Sequence, residues 1–243
     1  FAFWKENVVA ADLMDGKAIA EAIRAELKSE VDSLRERGVV PGLGVILVGD
    51  NPASCSYVTA KERACESIGI YSDDNRLPAD TSEADLLKRV EAMNQDPQID
   101  GILVQLPLPK HMDESKILLA IDPAKDVDGF HPMNVGKMMI GEETFFPCTP
   151  HGVVQMLMRS GVETSGKHVV VVGRSNIVGK PVANMLLQKK AGANATVTLC
   201  HTGTEDLAGF TQQADILIVA SGWPNTVTES MVKPGAVVVD VGV

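Results

Sequence analysis

Tyr57 and Lys61 stand four residues apart in ASCSYVTAKERACESIGI (53–70), a stretch that reads as a helix from about Ser54 to Ile68. Residues i and i+4 share one helical face, so a phenol and an amine would lie one turn apart and could together move protons. An amine serves as a general base only where burial or nearby charge makes its neutral form accessible. The spacing alone carries little weight, because 14 lysines in 243 residues produce such pairs by chance. Support has to come from other groups brought to the same place. Gln105 ends the apolar run GILVQLP (101–107); it would either carry an uncharged donor and acceptor into a crevice or tie down the following Leu106-Pro107-Leu108-Pro109. Asp128, before Gly129, is either a turn residue or a carboxylate whose two oxygens accept two N–H donors from the amidine-like edge of a heterocycle. His131 and His201 read as structural or rim residues.

A second chemical pattern lies further along. The apolar strand HVVVVG (168–173) runs into GRSNIVGKP (173–181), a variant dinucleotide fingerprint, Gly173-x-Ser175-x-x-x-Gly179. In such a motif the first glycine makes the turn and the helix N-terminus faces a pyrophosphate. A strand before it, a helix after it and a second strand soon after raise its specificity. At the end of that second strand an NAD site usually carries an acidic residue, whereas this chain reads Cys200-His201-Thr202-Gly203-Thr204. Arg174 could instead meet a 2′-phosphate, so the expectation is NADP, with NAD less favoured. A Tyr-x-x-x-Lys pair also occurs in short-chain dehydrogenases, but there it follows the glycine-rich loop; here it precedes it.

Elements of two lobes would position these groups. Apolar residues at 19, 23, 27, 31 and 34 mark a helix from Asp15 to Arg37. GLGVILVGD (42–50) reads as a strand buried on both faces, followed by the Tyr57 helix, a strand at 71–77, a helix from Ser82 to Asn94, the strand ending at Gln105, and a helix from Asp113 to Ala120. Such alternation implies a parallel sheet with helical crossovers. Prolines and glycines crowd 122–152, and Thr149-Pro150 reads as the N-cap and first position of a linking helix to Ser160. Beyond it, 168–173, Gly179–Lys190, 195–201, 214–222 and 235–243 form a second α/β series. The expected fold is therefore an N-terminal α/β catalytic lobe over 1–149 and a C-terminal Rossmann-like dinucleotide-binding domain over 150–243, with a cleft between them.

Composition narrows the alternatives. Twenty-two basic against 32 acidic residues give a net charge of −10, and no basic stripe offers itself to nucleic acid or an anionic membrane. The longest apolar runs fall far short of the roughly 20 residues that span a bilayer. No signal-peptide pattern is read in the first nine residues, and residues 1–12 match nothing recognisable. The four cysteines, 55, 65, 148 and 200, have spacings of neither a zinc site nor a disulfide framework; a reduced, cytoplasmic, metal-free protein is expected.

Several long segments in order, 53–70, DGILVQLPLP (100–109), KDVDGFHPMNVGK (125–137), PCTPHGV (147–153) and GRSNIVGKPVANML (173–186), resemble the bifunctional methylenetetrahydrofolate dehydrogenase/methenyltetrahydrofolate cyclohydrolase family. The resemblance covers about 13–243. It implies hydride transfer from 5,10-methylenetetrahydrofolate to NADP, hydrolysis of the methenyl product to 10-formyltetrahydrofolate, tetrahydrofolate derivatives as ligands, and a homodimer. It also implies roles: Lys61 as the proton-transfer group, Gln105 holding it, Tyr57 stacking on the folate, Asp128 anchoring the pterin, and Ser54, Leu106 and Pro107 lining the substrate pocket. Gly173, Arg174, Ser175, Ile177, Gly179 and Thr202 would hold the cofactor. Thr202-Gly203 departs from the family's usual serine and basic residue. The family continues past the equivalent of Val243 with a Pro-Gly-Gly-Val-Gly-Pro loop and a final helix, so the C-terminal end is expected to lie outside this sequence. Competing readings are a shikimate-type dehydrogenase and a nucleotide-binding regulatory module without turnover.

Overall fold

The computed structural model describes residues 11–242. The first half contains α1 (Gly16–Glu36), β1 (Gly42–Val48), α2 (Pro52–Ile68), β2 (Tyr71–Leu77), α3 (Glu83–Gln95), β3 (Gly101–Val104), α4 (Glu114–Ala120) and α5 (Pro132–Ile140). The second contains α6 (Cys148–Arg159), β4 (His168–Val172), α7 (Gly179–Leu187), β5 (Thr196–Cys200), α8 (Leu207–Thr211), β6 (Ile216–Val219) and β7 (Val237–Asp240). Two wholly parallel sheets result, ordered β2-β1-β3 and β5-β4-β6-β7. The protein is thus α/β, with a separate sheet in each half.

The apolar runs explain which strands are central. In β1, Ile46 and Val48 point into one hydrophobic cluster with Leu86, Val90 and Ile117, while Val45 and Leu47 join another with Val58 and Leu103. Alternate residues of β4 divide in the same way, Val169 and Val171 to one side, Val170 and Val172 to the other. A strand covered on both faces needs apolar residues at every position, which is why these runs lack alternation. Helix starts are fixed by side-chain caps: Asp15 accepts from Lys17 and Ala18 N–H, Asn51 from Ala53 and Ser54 N–H, and Ser82 from Asp85 N–H.

Three elements differ from the expectations. The Pro- and Gly-rich segment 122–152 contains α5, with Pro132 in its first turn, the His131 ring accepting from Met133 N–H, and Gly141 as its C-cap. Proline at a helix start and glycine just past its end are helix signals, although here they resembled loop composition. The linking helix α6 begins at Cys148, so Thr149 is inside it and Pro150 lies in its first turn. That position tolerates proline because its N–H has no acceptor within the helix. Finally, α8 occupies the segment between β5 and β6, to which the sequence pattern assigns no element.

Helices join the halves. α1 packs on α2 and on α6, α5 packs on α7, and Met14 lies against the core of the second half. Arg159 of α6 donates through both terminal nitrogens to Glu26 of α1, at 2.8 and 2.7 Å. Among the described residues no helix is long and apolar enough to cross a membrane.

Candidate active site

The C-terminal ends of β1 and β3 bring the proton-transfer candidates together. Ile46 of β1 pairs with Val104 of β3, and Gln105 N–H donates to Ile46 C=O at 2.8 Å, so the chain stays in register one residue past β3. Just beyond β1, Asn51 starts α2, and this helix carries Tyr57 and Lys61 on successive turns. Lys61 Nζ donates to Gln105 Oε1 at 2.9 Å, and Gln105 Nε2 donates to Leu106 C=O at 2.8 Å. Gln105 thus ties down the proline loop, whose Leu106–Pro107 peptide bond is cis, and accepts from the lysine with its other amide atom. Lys61, Gln105 and Leu106 are half-buried and Pro107 is exposed. Tyr57 is 61% exposed, whereas Ser54, in the first turn of the same helix, is 3% exposed.

Asp128 reaches this cluster from a different element. The segment before it lies along the free edge of β3, with Ile102 N–H donating to Lys125 C=O at 2.7 Å and Asp126 bridged in parallel to Ile102. Burial raises the Asp128 carboxyl above its usual range, the Lys61 charge pulls it back, and the neighbouring Asp126 charge raises it again. These opposing influences place Asp128 within the field of Lys61 in a partly desolvated corner. Cys148, the first residue of α6, closes that corner: its thiol lies 3.7 Å from Asp128 Oδ1 and 3.8 Å from Val127 C=O. In the sequence Cys148 is one of four scattered cysteines and part of PCTPHGV (147–153), and nothing in its spacing linked it to Asp128. Among the described residues no cluster of His, Cys, Asp or Glu has the arrangement of a metal site.

The nucleotide candidates converge at the end of the second sheet. Val172 of β4 pairs with Cys200 of β5, and Gly173 N–H donates to Cys200 C=O at 2.8 Å, so Arg174 and Thr202 follow paired strand ends. Gly173 has φ +127°, and a Cβ there would collide with the Ala220 carbonyl after β6; one on Gly179 would collide with the Gly173 carbonyl. Only glycine permits this close return of chain to helix, the geometry that lets backbone approach a pyrophosphate. Ser175 Oγ accepts from Val178 and Gly179 N–H at 3.1 and 3.3 Å, which leaves its own O–H to donate outward. Arg174, Ile177 and Thr202 are exposed, and Arg174 makes no ion pair among the described residues. His201 Nδ1 accepts from Gly203 N–H at 3.0 Å.

Beside this loop, at the ends of β6 and β7, lies a hollow of about 380 Å³ whose lining includes Ser221, Trp223, Asn225, Thr226 and Asp240. None of these stands in a recognisable motif of the sequence. Their only signal was position, since ligands of open α/β sheets sit outside the carboxyl ends of strands. The residues present fit a dinucleotide: a glycine-lined turn, a hydroxyl donor, a guanidinium with no ion pair among the described residues and a hollow at the neighbouring strand ends.

Two parallel-sheet lobes, with polar groups gathered at the strand ends of the first and a glycine-turned loop of dinucleotide type in the second, define the class of two-lobed α/β nucleotide-binding proteins. Comparison with known proteins gives the family. A family described as tetrahydrofolate dehydrogenase/cyclohydrolase, catalytic domain, matches residues 14–128, and its NAD(P)-binding domain counterpart matches 147–243. The bifunctional protein FolD of Syntrophus aciditrophicus (strain SB) is 62% identical over 235 residues, 97% of this chain and 80% of that protein. A crystal structure of the bifunctional FolD enzyme, methylenetetrahydrofolate dehydrogenase/cyclohydrolase, from Campylobacter jejuni superposes with TM-score 0.92 at 48% identity, covering 96% of this chain and 82% of that one. The Trypanosoma brucei enzyme, solved with NADP cofactor and inhibitor, has TM-score 0.89 at 40% identity, covering 96% and 79%. The chain belongs to the tetrahydrofolate dehydrogenase/cyclohydrolase family. It is a bifunctional dehydrogenase and cyclohydrolase of folate one-carbon metabolism, which excludes the shikimate-type and non-catalytic readings.

Proposed function

We propose that this enzyme oxidises 5,10-methylenetetrahydrofolate to the 5,10-methenyl cation with NADP, then adds water to give 10-formyltetrahydrofolate, using Lys61 as the proton-transfer group. The observation that carries this is the 2.9 Å hydrogen bond from Lys61 Nζ to Gln105 Oε1. Gln105 accepts from the amine whether or not it is protonated, so it fixes Nζ and leaves its remaining positions facing the crevice. Oxidation needs orientation more than a base, because two nitrogens flank the reacting carbon and stabilise its cation. When bound, the dinucleotide supplies the hydride acceptor. Water addition and ring opening need a proton taken from water and one delivered to the departing ring nitrogen, and Lys61 is placed to move both.

The other assignments follow the same division. Tyr57 presents its ring to orient the folate, Asp128 anchors the pterin through its two oxygens, and Ser54, Leu106 and Pro107 line the pocket. Gly173 and Gly179 form the cofactor turn, with Ser175 and Ile177 on the loop. Arg174 and Thr202 meet the adenosine phosphate. The absence of a carboxylate between Cys200 and Thr204 and the NADP held by the Trypanosoma brucei relative support NADP over NAD. The boundary between the lobes falls between 149 and 150, in the first turn of α6. The family resemblance supports a homodimer, and four free cysteines fit a reducing cytoplasm.

An absorbance assay following reduced cofactor and the methenyl product tests the reading. We expect reduced NADP without methenyl build-up, slower turnover with NAD, and methenyl accumulation in Lys61→Ala as hydrolysis is lost while oxidation persists. Equal loss of both activities with folate binding intact would reject Lys61 as the hydrolytic acid/base.

A further inference from the structure

Behind Asp128 lies a buried polar network that the chemistry above does not use. Asp126 is 1% exposed and Asn134, on α5, is 2% exposed. Asp126 Oδ2 accepts from His131 N–H at 2.7 Å and from Asn134 Nδ2 at 2.9 Å. Asn134 Nδ2 also donates to Pro123 C=O at 2.9 Å, and Thr144 Oγ1 donates to Asn134 Oδ1 at 2.8 Å. These partners fix the amide's orientation, since a flip would aim its oxygen at a carboxylate and a carbonyl. Asp126 forms no ion pair among the described residues, so a buried charge depends on these donors alone.

The network has a geometric product. The bond from His131 N–H back to Asp126 closes a loop whose tip is Asp128-Gly129, and Gly129 N–H donates to Asp126 C=O at 3.2 Å. Gly129 has φ +65°, and a Cβ there would lie 2.7 Å from the Phe145 carbonyl oxygen, so the tip is clamped on its other side. Asp128 therefore sits at the tip of a loop that Asp126 holds through both His131 N–H and Gly129 N–H.

We propose that Asn134 is a positioning residue for the folate reaction: by holding Asp126 and being held by Thr144, it fixes the loop that presents Asp128 to substrate. This rests on the reading of Asp128 as the pterin anchor. Loss of a hydrogen bond to a buried charge should be felt at that carboxylate and not at the cofactor loop.

Steady-state kinetics of four variants tests it. Asn134→Ala should raise KM for methylenetetrahydrofolate about tenfold and leave KM for NADP unchanged; a residue needed only for folding would lower yield and melting temperature without moving the folate KM of the folded enzyme. Thr144→Val, which removes one donor at the half-buried rim, should raise the folate KM about threefold and carries the test if Asn134→Ala does not fold. In an Asp128→Asn background Asn134→Ala should add less than about twofold, because coupled residues are not additive. An unchanged folate KM in Asn134→Ala or, where that does not fold, in Thr144→Val overturns the proposal, as does full multiplication of the Asn134 and Asp128 effects. If Asp128→Asn alone leaves the folate KM unchanged, the anchor reading falls and the proposal with it; if Asp128→Asn raises it and Asn134→Ala does not, the proposal alone falls.

Discussion

The Cys148 thiol carries the electrostatics of the site in a form that can be titrated. Although Cys148 as a residue is exposed, desolvation of its sulfur foremost, then the Asp128 charge and the hydrogen bond to it, push this thiol up to about 11, with Lys61 pulling the other way. At neutral pH it is therefore an S–H that can donate to the Asp128 carboxylate, and a poor nucleophile. Removing the carboxylate in Asp128→Asn should lower the thiol's pKa and speed its alkylation at pH 8; Lys61→Ala should slow it. Iodoacetamide labelling resolved peptide by peptide over a pH series reads this directly, and identical profiles in wild type and Asp128→Asn would refute it. Residue types at this scale were partly legible beforehand. Lys61, Gln105 and Asp128 stood out because each had a chemical reason to sit in a crevice, but the contact of Lys61 with Gln105 depends on a pairing across 44 residues that only the sheet register creates. Asn134 was not legible, because an Asn in a Gly- and Pro-rich stretch looks like turn composition until α5 turns it inward.

Elements in the second lobe are tied at the opposite end of the sheet from the cofactor loop. Asp215, just before β6, accepts from His168 N–H at 3.0 Å and from Lys233 Nζ at 2.6 Å, linking the starts of β4 and β6 to the turn before β7. The Lys233 hydrogen bond foremost, then the His168 N–H, bring the Asp215 carboxyl down from 3.8 to about 2. A depressed carboxyl stabilises the fold fully above its unfolded value, and that contribution fades as pH falls from there through about 2. Lys233→Ala should raise the Asp215 value toward the ordinary range by carbon-detected NMR, and its melting temperature should fall below wild type at pH 7 but converge with it near the bottom of that window. A variant melting like wild type at pH 7 would contradict the assignment. Strands and long helices were readable because apolar runs and three-to-four spacing report burial directly. The missed α5, the early start of α6 and the short α8 share another cause: proline and glycine signal both helix ends and loops, and only tertiary packing decides between them.

At the scale of the whole molecule, the two sheets are joined by helices rather than strands. α1 touches both α2 and α6, and Glu26 and Arg159 meet in a two-pronged ion pair at its surface. Because that pair is exposed and screened by solvent, Arg159→Ala should barely change the melting temperature, yet amide hydrogen exchange should rise in α1 and α6. A variant with unaltered exchange in both helices would show that apolar packing alone joins the halves. Two lobes were legible from the repeated strand–helix pattern; the way α1 and α5 reach across was not, since no local pattern encodes it. β2 forms one outer strand of the first sheet and carries Asp73, Asp74 and Arg76, charged groups that discourage another chain from adding a strand. The border at β3 has no such charges in GILV; it is covered instead by residues 125–126, hydrogen-bonded to Ile102. The strip that delivers Asp128 is thus also the seal on an adhesive edge, and any change that peels it away exposes that edge to self-association at the same moment as it displaces the carboxylate.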